Sequence, residues 1–423
     1  MTIMGDVRLA AGLRAEQLTA WLLRQFGDVI GEMSRPLTGE SPYPFFAGVR
    51  ERAPMVRSRS GVWLTARYST CNAIMRDRRF GVRTTAGVSS AAVLAKALAE
   101  LEIEEFLGLD PPGQTRMRAL MAPSFSPSAN KIYRDRVTAI VHRTLDRVPG
   151  RGPFDVITDF AEPIPQAVIA EVIGAPPRYH ARLGHIAKRV GLLTDPVMGF
   201  ARLREIRRLM TETKAMFGEM VEQRRAEGVD ERPTDMIGSL LLASTKQEVP
   251  LGEMQSLLIA TLIAGTENTV SLLGNAVHNL LEHPAQWDRL VADPTRSPGA
   301  MEETMRFDST TLFTIRYPHE DVRIEGCLIK ADSPVLALIG GANHDPAIFS
   351  DPETFDITRP NASDHLTFAA GRYFCIGAPL ARLEGELALR ALAERLPGLR
   401  RAGHPVYRTS AGFRALTALP VAA

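Results

Sequence analysis

Cys375 stands between two glycines at the start of a helical run. Gly371 precedes it, Gly377 follows it, and Leu380, Leu383, Leu387, Leu389 and Leu392 then recur at helical spacing. A polar, turn-rich approach, Asn361 to Asp364, leads into this stretch. The cysteine therefore sits at a helix mouth, where the macrodipole and free backbone N–H groups favour a thiolate over a thiol. Gly371 supplies a backbone shape that other residues resist, and Gly377 lets something bulky and flat approach the helix start. A thiolate held by backbone donors suits an iron porphyrin, where it pushes electron density towards O–O cleavage. Taken alone, Cys375 serves equally well as a small buried hydrophobe.

A second polar group interrupts an apolar helix. Gly252 to His283 reads as one helix stopped by Pro284, and Ala264-Gly265-Thr266-Glu267-Asn268-Thr269 lies in its middle. A carboxylate there is costly to bury, and a glycine lowers stability while allowing a local widening of the turn. Glu267 is either one half of a structural ion pair or part of a reaction centre. On the next helix but one, Glu303 and Arg306 are three apart and face each other. Gln114 and Arg118 share a helix face four apart, after Asp110 as a cap and Pro111-Pro112 as a helix start.

These groups need a large scaffold. The 423 residues, 45% hydrophobic and 23% charged, suffice for a sizeable core. A net charge of +2 without a basic aromatic-interleaved run excludes nucleic acid as the main partner. Cys71, Cys327 and Cys375 are scattered, with no CxxC pair for a zinc site or disulfide framework. No signal peptide is read, and the densest apolar stretch, Leu257 to Ile263, is too short to span a bilayer. Ser41 to Ala53 is a short helix, Met55 to Ala66 a hairpin, Tyr68 to Arg76 a helix, and 131–223 almost wholly helical. Short strands follow around Val322 to Leu328 and Val335 to Ile339.

Phe368-x-x-Gly371-x-x-x-Cys375-x-Gly377, followed by Ala381-Arg382, resembles the cysteine-ligand loop of the cytochrome P-450 family. The other family elements follow in order from about Pro42 to Pro420. The resemblance implies a mainly α fold with a small β-rich side, haem b being sandwiched between the long central helix and the Cys375 loop. It implies a weakly patterned segment over 1–40 and one catalytic domain over 41–423. Glu303-x-x-Arg306 would close onto Arg359 and hold the loop that presents Cys375, the metal ligand. Arg118, Gln114, Arg316 and His365 would surround the haem propionates, with Gln114 and Tyr373 standing where histidine is usual. Phe368, Gly371, Gly377 and Ala264 would complete the cofactor's surroundings. The segment Ala264 to Thr269 is similar to the family's Ala/Gly-Gly-x-Asp/Glu-Thr, which makes Gly265 the groove for dioxygen and Glu267 the acid. The alcohol position is Asn268, and Thr269 comes one residue later, turned about 100° away. Leu258, Ile259, Leu262, Ile263, Leu312, Phe313 and the turn Ala411-Gly412 would line the substrate pocket. Phe80 to Leu107 would cover it, and Leu193 to Gly199 would roof it.

The resemblance further implies a ferredoxin-dependent monooxygenase that inserts one atom of O2 into a small lipophilic molecule by hydroxylation or epoxidation. Its setting would be bacterial secondary metabolism or antibiotic biosynthesis, with a polyketide, terpenoid or aromatic substrate. GxGxxG is absent, so electrons would come from a ferredoxin and its reductase. A cytoplasmic monomer is expected, with no membrane and no nucleic-acid partner. Asn268 keeps open oxidative coupling or ring closure without net oxygen insertion. A non-enzymatic haem sensor or carrier is the third reading, and it would not need Glu267.

Overall fold

The structure, a computed structural model, describes residues 41–89, 108–148, 152–191, 200–410 and 412–423, with 27–33 and positions 22, 24, 25 and 39 before them. Prolines and glycines divide the described chain into helices. In order the longer of these are α1 (Tyr43–Arg52), α2 (Tyr68–Arg76), α3 (Gly113–Met121), α4 (Pro127–Leu145), α5 (Pro163–Ile173), α6 (Pro177–Gly191), α7 (Phe200–Glu227), α8 (Met236–Ser244), α9 (Leu251–Glu282), α10 (Pro284–Ala292), α11 (Ser297–Phe307) and α12 (Ala378–Arg395). The strands are β1 (Val56–Arg57), β2 (Trp63–Thr65), β3 (Phe80–Gly81), β4 (Pro153–Asp155), β5 (Thr314–Pro318), β6 (Val322–Ile324), β7 (Cys327–Ile329), β8 (Val335–Ala337), β9 (Arg400–Arg401), β10 (Val406–Tyr407), β11 (Leu416–Ala418) and β12 (Pro420–Ala422). The expected mainly α fold with a small β-rich side is what forms.

Local chemistry marks the ends. Ser126 Oγ accepts from the Ala129 N–H to start α4, and Asp235 accepts from the Gly238 N–H to start α8. Gly174, at φ +84°, closes α5 in the left-handed region. Pro284 has no N–H for continuing α9 and becomes the first residue of α10.

Helix α9, 32 residues long and so roughly 48 Å, passes through the core against α5, α6, α7 and α12. Leu257, Leu258, Leu262 and Leu273 on it are 0% exposed, and burying each such side chain contributes roughly 1.5–3 kcal/mol. Among the described residues it is the one helix apolar and long enough to cross a membrane, but 67% of its most apolar window is buried inside the protein. It runs unbroken through Gly265, so no widened turn forms there.

The β-rich side holds a five-stranded sheet in the order β1-β2-β8-β5-β3. β2 pairs with β8 in parallel and β5 pairs with β8 antiparallel, which sets Arg316 opposite Val335. The β10–β11 hairpin brings the C-terminal segment beside α9. Helices α6 and α7 are laced along their flanks by Arg178–Gln223, Tyr179–Glu219, Arg182–Glu212 and Arg189–Glu205. Most of 1–40, the second half of the covering segment (90–107), the roof loop (192–199) and Ala411 lie outside the described residues.

Candidate active site

The cysteine loop leans on α2. Gly371 has φ +68°, and a Cβ there would lie 2.6 Å from the Met75 carbonyl oxygen, so no side chain fits. The Cys375 N–H donates to the Phe368 carbonyl at 2.9 Å, and Arg372 Nη2 donates to the Arg78 carbonyl at 2.5 Å. The Phe368 ring lies under the Arg382 guanidinium, 4.8 Å from centroid to Cζ. Gly377 has an ordinary φ of −80°, and its nearest neighbour in the Cβ direction is Cys375 Sγ itself, at 3.8 Å.

Cys375 is the exposed cysteine, while Cys71 is buried and Cys327 half-buried. Burial nonetheless pushes the Cys375 thiol up, against the N–H groups of Gly377 and Ala378 and the charges of Arg118 and Arg382. Both facts hold for a thiol that opens onto space enclosed by protein. The expected backbone donors and positive charges are present, and they act against the desolvation of the thiol.

Two guanidiniums near the loop are short of partners. Arg118, half-buried on α3, has no hydrogen-bond partner among the described residues, and its charge reaches Cys375. Arg316 is 4% exposed; its Nη1 donates to Thr314 Oγ1 and the Ile315 carbonyl, but Nε has no partner. Burial lowers its pKa to about 10.

The other expected propionate contacts are engaged elsewhere. Gln114 Nε2 donates to the Arg372 carbonyl at 3.1 Å, which ties α3 to the loop. The Tyr373 phenol donates to Asp110, and its ring lies 4.8 Å from the Arg316 guanidinium. Asp110 does not cap α3 with its side chain; it accepts from the Val82 and Arg83 N–H groups at 2.9 and 3.1 Å. His365 is a correction. Its Nε2 faces Glu302 at 3.1 Å and its Nδ1 accepts the Thr367 N–H, so neither ring nitrogen is left for a propionate.

On α9, Ala264 and Asn268 share one face, four residues apart, and both carry exposed surface; Asn268 has no hydrogen-bond partner among the described residues. Thr269 is buried on the neighbouring face, its hydroxyl donating to the Gly265 carbonyl at 3.3 Å. A Cβ at Gly265 would lie 2.3 Å from Ile169 Cδ1, so this glycine lets α5 approach closely. The expectation of a dioxygen groove at Gly265 is corrected accordingly. Glu267 is half-buried and accepts from Arg408 Nη1, a partner at a separation of 141 residues.

Arg306 and Glu303 on α11 are both 0% exposed and bidentate, with Nε–Oε2 at 2.7 Å and Nη2–Oε1 at 2.8 Å. Arg306 donates further to the carbonyls of Asn343, Pro352 and Thr354, so all its N–H groups are used. Arg359 Nε joins Glu303 at 3.2 Å. The neighbouring Glu302, not singled out from sequence, binds Arg382 on α12 as well as His365. Its burial is outweighed by those two hydrogen bonds, which bring its pKa down to about 2.

The expected pocket wall is partly corrected. Leu258, Ile259, Leu262 and Leu312 are 0–2% exposed and face neighbouring helices and strands, whereas Ile263, Phe313 and Gly412 retain surface. A Cβ at Gly412 would sit 3.3 Å from the Phe313 ring.

Among the described residues, no three His, Cys, Asp or Glu side chains converge to hold a metal by themselves. A single thiol with two unsatisfied guanidiniums nearby instead fits a cofactor that brings its own nitrogens to the metal and carries carboxylates.

A family profile described as cytochrome P-450 matches residues 298–396. The chain is 34% identical over 386 residues to a biotin biosynthesis cytochrome P-450 of Bacillus subtilis, covering 90% of this chain and 96% of that one. It is 33% identical over 402 residues to 6-deoxyerythronolide B hydroxylase of Saccharopolyspora erythraea, covering 90% and 95%. The solved structure of cytochrome P-450 BioI, in complex with a hexadec-9Z-enoic acid-ligated acyl carrier protein, matches with a TM-score of 0.82 at 34% identity, over 90% of this chain and 98% of that one.

Proposed function

Since the chain belongs to the cytochrome P-450 family of oxidoreductases, which carry haem b, we propose that it inserts one oxygen atom from dioxygen into a lipophilic small molecule of bacterial secondary metabolism. The carrying observation is the Cys375 loop: one inward-opening thiol, with backbone N–H groups aimed at it, on a loop seated against α2 and α3. Cys375 would hold the haem iron through its thiolate. Arg118 and Arg316 hold the cofactor's carboxylates, and Tyr373, bound to Asp110, keeps its ring against Arg316. When bound, the haem supplies the dioxygen activation that no side chain here performs. Glu303, Arg306 and Arg359 fix the segment before the loop. Glu267 moves protons towards the open face of α9, and Asn268 orients a water there through its two amide donors. Ile263, Ala264, Phe313 and Gly412 meet the substrate, and residues 41–423 act as one catalytic domain. A ferredoxin and its reductase supply electrons.

The test is the carbon-monoxide difference spectrum of the reduced protein, with Cys375→Ser losing the thiolate-type band and Cys71→Ser and Cys327→Ser keeping it. A band that persists in the Cys375 variant refutes the site. Asn268 motivates a second reading, oxidative coupling or ring closure, because an amide cannot relay its own proton as an alcohol does. Turnover under labelled dioxygen separates the two, since only the first product carries the label.

A further inference from the structure

Arg382 and His365 share one carboxylate. Glu302 accepts from Arg382 Nε at 2.5 Å and Nη2 at 3.1 Å, and from His365 Nε2 at 3.1 Å. The direction of the last bond is fixed from the far side of the ring. His365 Nδ1 accepts the Thr367 N–H at 3.1 Å, so the proton of a neutral imidazole sits on Nε2 and points at Glu302. Two donors therefore converge on Glu302, whose pKa of about 2 keeps it a carboxylate with both oxygens accepting.

The two donors differ in their alternatives. The His365 side chain is 1% exposed and has no water to turn to, whereas that of Arg382 is 34% exposed. Among the described residues Arg382 donates to no acceptor other than Glu302. Left to itself, such a side chain spreads over many rotamers and its charge is screened by solvent. Held by Glu302, its guanidinium lies over the Phe368 ring, and His365 packs on the same ring with centroids 5.7 Å apart. Phe368 is the residue whose carbonyl takes the Cys375 N–H, and the charge of Arg382 reaches the Cys375 sulfur. A positive charge fixed there favours the more negative, reduced state of a centre bound to that sulfur.

We propose that Glu302 is a positioning residue for the cysteine loop: backed by His365, it clamps Arg382 over Phe368 and thereby raises the reduction potential of an iron held by Cys375. Glu303, next to it on α11, serves the buried knot with Arg306, so neighbouring carboxylates divide the fixing of the fold and the tuning of the sulfur between them. This rests on Cys375 being the iron's ligand, which the carbon-monoxide band reports separately.

Glu302→Gln separates the two donors. An amide has one oxygen to accept, and buried His365 claims it, so Arg382 meets an NH2 group and turns to solvent. The reduction potential of the substrate-free holoprotein, read by spectroelectrochemistry, should fall in Glu302→Gln by about 59 mV, a tenfold change in the equilibrium of a one-electron couple. Arg382→Gln should give the same fall, because it removes the charge that Glu302 positions. The double variant should fall no further than either single one. The iron–sulfur stretching band in resonance Raman spectra should shift in all three, which a merely structural role would not produce. An additive double variant, or Glu302→Gln at the wild-type potential, overturns the proposal. Arg382→Gln, at the open end of the pair, carries the test alone if Glu302→Gln yields no holoprotein, and an unchanged potential there overturns it too. Wild-type protein without the thiolate-type carbon-monoxide band refutes instead the ligand reading beneath it.

Discussion

Arg306→Ala tests whether the buried knot is structural. The substitution leaves Glu303, 0% exposed, with an uncompensated charge, and breaking a buried pair from one side costs roughly 3–5 kcal/mol. Two carbonyls, of Asn343 and Pro352, lose their donor at about 1 kcal/mol each, while that of Thr354 keeps Arg359. The sum, about 5–7 kcal/mol, is comparable with the whole stability of an ordinary domain, about 5–15 kcal/mol. Arg306→Ala should therefore yield little or no soluble haem-loaded protein. Arg359→Ala gives a graded comparison, because it removes one contact to Glu303 and leaves the bidentate pair in place. The assay is the haem-to-protein absorbance ratio after purification, with the urea midpoint of whatever folds. An Arg306→Ala protein with normal haem content and midpoint but no turnover would mean that the knot acts in the reaction, and this reasoning would be wrong.

Asn268→Ala should divert electrons to hydrogen peroxide, read as product formed per reduced nicotinamide consumed; unchanged coupling would shift the reading to oxidative coupling. Asn268→Thr should keep most activity. Tyr373→Phe removes the hydrogen bond to Asp110 but keeps the ring against Arg316, so haem affinity should fall by roughly tenfold or less with the carbon-monoxide band intact; loss of the band itself would contradict the positioning role. Glu302 has its folded-state pKa depressed to about 2 from an ordinary 4.5, so its contribution is full above about 4.5 and is lost as pH falls towards 2. The gap in unfolding free energy from urea titration between wild type and Glu302→Gln, up to about 3 kcal/mol, should close over that window, and a gap that does not vary with pH would refute the assignment.

Much of the frame could be read from the chain because its signals are local. Leu380 to Leu392 and the 32-residue α9 carry their periodicity on their face, and Glu303 with Arg306 are neighbours on one helix. Gly371 was marked by chemistry that only a left-handed backbone explains. Contacts between distant segments left no such trace. Arg408 reaches Glu267 across 141 residues, and Tyr373 reaches Asp110 across 263. Gly265 looked like a place for a small ligand, whereas only the packing of α5 shows Ile169 filling that side. Leu258, Ile259 and Leu262 were apolar in the right helix, but apolarity does not say whether a face meets a pocket or another helix. Glu302 was visible beside Glu303, and the Arg382 of the cysteine motif was the signal that it too had a partner.

The support of the cysteine loop comes from α2 and α3. Gly371 is seated on the Met75 carbonyl, Arg372 on that of Arg78, and Gln114 holds the loop from α3, whereas α6 and α7 are laced chiefly to each other. The loop's support therefore does not depend on the pairing of α6 with α7. An exchange of α6 and α7 with those of a relative should leave the contacts of the loop with Met75, Arg78 and Gln114 in place, read as an unchanged carbon-monoxide band.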